Sequence, residues 1–423
     1  MPSATHRREE YPPVDGRRRP WAMLIRAALS QNVAIGCAFG GFSVSVLALQ
    51  ERYQSTRAEA SMGLALVVLV MGLVGPLAAA AIGRIGLRAT MLAGATLSAL
   101  GYLAVAFAPN MMTALAAYAL LVGPGIALFG PLPASMLAGD WFPGGRGRAV
   151  GLANMPVLVA VIPLIGLTVI SRYGLPAFYM CLAVIHILLM PVLFGVADAP
   201  SSGNGLDAEG DQPVRDVSGG GAVPLLTRPA FWLMVLGGGL LSATAITSIS
   251  HIVALGIEKG LTPQSATLLV SVMGGASIVG SVLVGFLCDK LGGARALAVA
   301  AFGFALSWVA VLASGSFMVM APAMLVMGAS GAGIVPIVSV LIAHFFGTAS
   351  IARGFGYFGL FTLPLTFLLP PAAGALRDAA GNYTAVMLAI IIGCGVVGVL
   401  FVAIAGIEGR RMRTMSREAA ALG

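Results

Sequence analysis

The sequence predicts an all-α membrane protein: twelve transmembrane helices set as two pseudo-symmetric six-helix bundles. Three observations carry that prediction. Of the 423 residues, 58% are apolar and only 9% charged, with a mean hydropathy of +0.96, whereas soluble domains carry about 25% charge. Apolar runs long enough to cross a bilayer recur along the chain. Short signatures repeat 204 to 206 positions apart.

Taken in order, the apolar runs place spans near 28–49, 60–82, 89–108, 111–138, 149–170 and 175–197, then 230–256, 264–287, 296–314, 317–343, 354–376 and 384–407. Residues 1–27, with Arg7, Arg8, Arg17, Arg18 and Arg19 among prolines, are too polar for the apolar core of a cleaved leader and are expected to form a cytoplasmic tail. The bundles are expected over 28–197 and 230–407, with a second tail over 408–423. Between the bundles, residues 198–229 are rich in Gly, Ser, Pro and Asp and lack apolar periodicity, so they read as a solvated cytoplasmic linker. With both ends inside, nineteen of the 24 Lys and Arg fall on the cytoplasmic side; only Arg52, Arg57, Arg172, Lys259 and Arg377 lie outside. That bias is the positive-inside pattern. The formal charge of +8 is thereby assigned to topology, not to nucleic-acid binding. The expected partners are the bilayer of the inner cell membrane and a small-molecule substrate, with a monomer as the functional unit and no nucleic acid. Cys37, Cys181, Cys288 and Cys394 are too scattered for a disulfide framework or a metal site, and no cofactor is called for.

The repeat supports two halves. Gly83-Arg84-Ile85-Gly86 corresponds to Asp289-Lys290-Leu291-Gly292, and Asp140-Trp141-Phe142 with Arg148 and Gly151 corresponds to His344-Phe345-Phe346 with Arg353 and Gly356. Each pair occupies the same place in its six-span unit. Repeated halves put a central site at their interface, where rocking exposes it to either side in turn.

At these residues the chain resembles the major facilitator superfamily, and within it the branch of monocarboxylate and oxalate transporters. Gly285 to Arg295 (GFLCDKLGGAR) is similar to the superfamily's GxxxDrxGxR loop, whereas the first-half copy has Gly83 where the acid is expected. Trp141 to Asn154 resembles the branch's entry to the fifth span, and Gly356 to Tyr383 resembles its eleventh span and the loop that follows. His251 with Gly260 is similar to a pattern ending the seventh span in bacterial members. The resemblance implies gating-loop roles for Arg84, Arg88, Arg148, Asp289, Lys290 and Arg353. It also implies basic residues in spans 1 and 8 for pairing with a carboxylate. Span 1 has none after Arg26, and span 8 reads Gly280-Ser281.

An ionisable group in the hydrocarbon core is a functional candidate because placing it there costs several kcal/mol. All sixteen acids fall at loops or span ends, which leaves histidine as the proton carrier. Thr244, Thr247, Ser248 and His251 share one helical face, which could line a wet passage with His251 as substrate donor or proton acceptor, or could instead bond back to its own helix. His186, alone among Ile, Leu and Met, reads as a packing residue, and His344 as a headgroup-level one. Further cavity candidates are Asn32 and Ser43 in span 1, Asn154 in span 5, Ser277 and Ser281 in span 8, and Tyr357 in span 11; each could equally bond helix to helix.

The expected function is secondary transport of a small organic solute by alternating access. A monocarboxylate or related acid taken up with a proton heads the readings, and export of an apolar or weakly polar compound is the alternative. A nucleotide-driven pump is excluded because GxxxxGK[ST] is missing. An intramembrane hydrolase could use Ser330 of Gly328-Ala-Ser-Gly331, but no histidine base follows on a later span. The chain is therefore not expected to be an enzyme.

Overall fold

A computed structural model of the chain describes residues 18–142, 146–197, 225–346 and 351–421. The sequence-predicted linker lies mostly outside these residues; its last part is a short 3-10 turn, Leu225–Thr227, with Leu225 buried.

Helix accounts for every regular element described, in twelve runs. Span 1 comprises Arg18–Ile35, a π-helical turn Gly36–Gly40, and Gly41–Tyr53. Spans 2 and 3 are Arg57–Ile85 and Leu87–Ala106. Span 4 runs from Met111 to Trp141 through a second π-helical turn, Tyr118–Val122. Span 5 begins with Arg146–Ala153 and resumes at Val157; it joins span 6, which ends at Phe194, through a kink at Gly174, where φ is 83°. Spans 7 to 9 are Pro229–Glu258, Pro263–Leu291 and Gly293–Ala313. Span 10 breaks once, between Phe317–Ala332 and Ile334–Phe346. Spans 11 and 12 are Ile351–Ala380 and Thr384–Ala421. Twelve crossings put both ends of the chain on one face of the bundle, called here the terminal end.

Helix bounds exceed the apolar runs at both extremes: span 1 starts ten residues earlier than the sequence placed it, and span 12 continues to Ala421. Hydropathy finds only the lipid-embedded stretch. Arg, Met, Glu and Ala continue a helix well beyond it.

One buried core lies within residues 23–196, joined by Ile246, and the other within 225–405. Small residues let the helices approach closely: a side chain on Gly94 would meet the carbonyl oxygen of Gly125 at 2.7 Å, and one on Gly274 would meet the Ala160 backbone at 3.0 Å. Large apolar side chains such as Leu77, Phe107, Leu188 and Leu306 point outward, as a lipid-facing rim requires.

The sequence repeat has a structural counterpart. Thr56 and Thr262, 206 positions apart, are the N-caps of spans 2 and 8, each accepting from the backbone N–H three residues on. Gly86 and Gly292, at the same offset, close those spans with φ/ψ of 82°/163° and 80°/160°. Only glycine takes such a conformation without strain, so the loop signatures read in the sequence are tight corners of equal geometry.

Candidate functional site

A cavity of about 890 Å³ lies between the two halves. Spans 4 and 5 contribute Pro131, Ser135, Val150, Gly151, Asn154 and Val159; spans 7 to 10 contribute Ala245, Ile249, Gly274, Ser277, Phe304, Met327 and Gly331. The wall is mostly apolar, and no ionisable side chain lines it among the described residues. Its polar side chains are Ser135, Asn154 and Ser277. The Asn154 amide nitrogen donates to Ser135 Oγ at 2.9 Å and to Val150 O at 2.8 Å, leaving its oxygen free of any protein donor among the described residues. The Ser277 hydroxyl shares its one hydrogen between Met273 O (3.0 Å) and Gly328 O (3.1 Å), so its lone pairs remain for a ligand. The cavity can therefore take a compact, largely apolar molecule and orient it with a few uncharged hydrogen bonds. It reaches toward the terminal end, where nothing among the described residues stands within 4 Å of a Cβ built on Gly151.

The other end is sealed, chiefly by spans 2 and 11. The first N–H groups of a helix have no partner inside it. In span 2 the Thr56 hydroxyl accepts from Glu59 N (3.1 Å), while Asp378 at the end of span 11 crosses the interface to accept from Arg57 N (2.8 Å) and Ala58 N (3.3 Å). A carboxylate at a helix N-terminus also gains from the helix dipole. Gly374, one turn earlier, lets the two backbones touch, since a Cβ there would stand 2.7 Å from Ala58 N. Deeper along the same seam Leu363 packs against Gly72. Within the second half Glu258, at the end of span 7, braces this end, accepting from Arg377 Nη2 at 3.0 Å and from Tyr383 N at 3.1 Å.

His251 belongs to this sealed end and not to the cavity wall. Its ring is 1% exposed. Nε2 lies 2.9 Å from the carbonyl oxygen of Pro370, and Nδ1 lies 2.9 Å from Tyr383 Oη. A carbonyl only accepts, so Nε2 carries a proton; in the neutral ring Nδ1 then accepts from the tyrosine hydroxyl. Burial pushes that hydroxyl up to about 12 against the opposing pull of the Arg57 and Arg377 charges, so it stays protonated.

The remaining sequence candidates divide. Asn154 and Ser277 stand on the cavity wall; Ser135, which the sequence did not single out, joins them. The polar face of span 7 is real but turns into its own bundle: Thr247 and Ser248 donate to the carbonyls of Ala243 and Thr244, and Thr244 meets Cys394 Sγ at 3.9 Å. Asn32 clasps span 5, donating to Met155 O and accepting from Leu158 N. Ser43 bonds to Gly40 O within its own span. Tyr357 is half-buried, its ring 6.4 Å from that of Phe361. Arg84 and Lys290 are exposed, and Arg88 donates through Nε to Val196 O, tying span 3 to the end of span 6. The side chains of Arg148, Ser281, Asp289 and Arg353 lie outside the described residues. His186 is fully buried, 2.8 Å from Leu182 O and packed against Tyr102 and Phe129, while His344 is exposed beside Phe345.

Sequence reasoning missed Arg57, which it placed in an outer loop. The residue is 7% exposed, and Nε and Nη1 of its guanidinium are buried without a hydrogen-bond partner.

Comparison with known proteins agrees with this architecture. The chain is 28% identical over 384 residues to Monocarboxylate transporter 13 of Rattus norvegicus, covering 86% of this chain and 84% of that one. It is 25% identical over 356 residues to Monocarboxylate transporter 11 of Homo sapiens, covering 80% and 73%. The fold matches the crystal structure of the nucleoside transporter NupG with a TM-score of 0.70 at 12% identity, over 91% of this chain and 98% of that one. It matches a D-xylose-proton symporter with a TM-score of 0.63 at 14% identity, over 90% and 97%. The Major Facilitator Superfamily model matches residues 29–256 and again 235–419. With two six-span halves around a shared cavity and that match over nearly its whole length, the chain belongs to the Major Facilitator Superfamily of membrane transporters, and it is not an enzyme.

Proposed function

We propose that this transporter takes up a small organic acid together with a proton by alternating access, with the terminal end facing the cytoplasm. The observation that carries the reading is a cavity lined by both halves and shut, among the described residues, at one end only. A site that a rocking motion can open on one side at a time is what alternating access requires. The Lys and Arg bias favours the cytoplasm for the terminal end, so the described arrangement is an inward-facing one. The names of the relatives support a monocarboxylate as cargo, and the apolar wall suits its hydrocarbon part. His251 is the proton carrier in this reading. Protonated at both nitrogens, it would keep its bond to Pro370 O and donate to Tyr383 Oη, whose own hydrogen then turns away. Loading a proton therefore changes the hydrogen bonding at the seal without unpacking the ring.

The uncharged cavity also suits the alternative cargo, a weakly polar compound that is exported. Purified protein in proteoliposomes separates the two. A labelled panel of monocarboxylates, dicarboxylates and neutral solutes is offered with and without an inward proton gradient. Uptake of the monocarboxylates should rise with the gradient, and His251→Ala should abolish that rise. Uptake indifferent to both the gradient and His251 would remove proton coupling, and resistance of cells to lipophilic compounds on expression would favour export.

A further inference from the structure

Arg57 is a buried cation whose Nε and Nη1 have no partner among the described residues. Its backbone is fixed by Asp378, yet the guanidinium forms no hydrogen bond or ion pair among the described residues. The acids nearby are otherwise engaged: Asp378 on the backbone of Arg57 and Ala58, Glu59 on Thr56 N, and Glu258 on Arg377 and Tyr383 N. A buried charge without a partner strongly destabilises a fold, and Lys or Arg is almost never buried unless paired. The group is placed at the interface of the halves, where Asp378 of span 11 caps the start of span 2. The cavity, by contrast, offers no charge of either sign among the described residues that line it.

We propose that Arg57 is the receptor for the carboxylate head of the solute, engaged as the seam between spans 2 and 11 opens. The proposal rests on the organic-acid reading above and supplies the cation that spans 1 and 8 lack. An arriving carboxylate accepts from the guanidinium and gives the buried charge the partner it lacks. The apolar body of the solute then faces the wall of Phe304, Met327 and Ile249 once the halves rock. Cargo recognition is thereby split between a charged mouth and an uncharged chamber.

The test uses the full chain in proteoliposomes with labelled pyruvate, labelled benzoate and the uncharged benzamide. Arg57→Gln should raise KM for both acids by about ten- to hundredfold, the loss of one charge-assisted bond, and leave benzamide competition unchanged. Arg57→Lys should recover part of the affinity. In the absence of any acid, Arg57→Gln should melt no lower than the parent, because it removes an unpaired cation; a purely structural arginine would melt lower. Unchanged KM in Arg57→Gln, or equal losses for benzoate and benzamide, would overturn the proposal. Acid uptake that survives Arg57→Gln intact removes only the role of Arg57. A parent protein that carries neutral solutes and neither acid removes the organic-acid reading and this role together.

Discussion

The seam between spans 2 and 11 and the one between spans 5 and 8 occupy equivalent positions in the repeat, and they are built differently. At the first, Asp378 reaches across to two backbone N–H groups and Gly374 brings the backbones into contact. At the second, Gly274 lies against the Ala160 backbone with no ion pair across it among the described residues. Both are small-residue contacts, but only one is fastened by charge. The repeat therefore preserves shape and divides the labour: one seam slides on apolar surface, the other unlatches.

This contrast can be broken experimentally. The largest effect is expected from Gly374→Ala, which drives a Cβ into the Ala58 backbone; overpacking of this kind costs about 1–3 kcal/mol. The seam should open, and spin labels at Gln54 and Ala379 should report a longer distance. Asp378→Ala comes next, removing a helix cap worth about 0.5–2 kcal/mol, toward the lower end because the carboxylate is partly exposed. The same label pair should show a smaller shift, and Asp378→Asn, which keeps an acceptor, a smaller one again. Tyr383→Phe deletes a neutral hydrogen bond to His251, worth about 0.5–1.5 kcal/mol, and should slow gradient-driven uptake while leaving exchange of solute between two equal pools nearly intact. The smallest change is expected from Gly274→Ala, whose Cβ stands 3.0 to 3.3 Å from Ala160 and needs only a small yield. Labels at Ser171 and Gln264 should barely move. An equal response at both seams would show that the latch is not where the energy difference lies.

The fold was legible because the bilayer imposes its thickness on the hydropathy of the chain, and because the repeat keeps Arg84 with Lys290 and Gly86 with Gly292 in register. The site was legible only in part. Helical periodicity correctly put Thr244, Thr247, Ser248 and His251 on one face, but a period states which residues share a face and not which neighbour that face meets. Here it meets span 12 through Cys394 and span 11 through Pro370. Arg57 escaped because a charged residue beside Thr56 at a span end looks the same whether it faces water or a distant helix. Its backbone N–H meets Asp378, 321 positions away, and no local pattern encodes that distance. Asn154 and Ser277 reached the wall because each stood out as a polar residue in a span whose face turns toward the other half.

The neutrality of the chamber has an electrical consequence. Moving one elementary charge through the full membrane potential involves about 2.3 kcal/mol per 100 mV. A chamber whose described lining holds no ion drags none through that field when its halves swing back empty. The voltage then acts on the cargo and its proton alone, and a carboxylate travelling with one proton cancels even that, so the whole cycle would run without current.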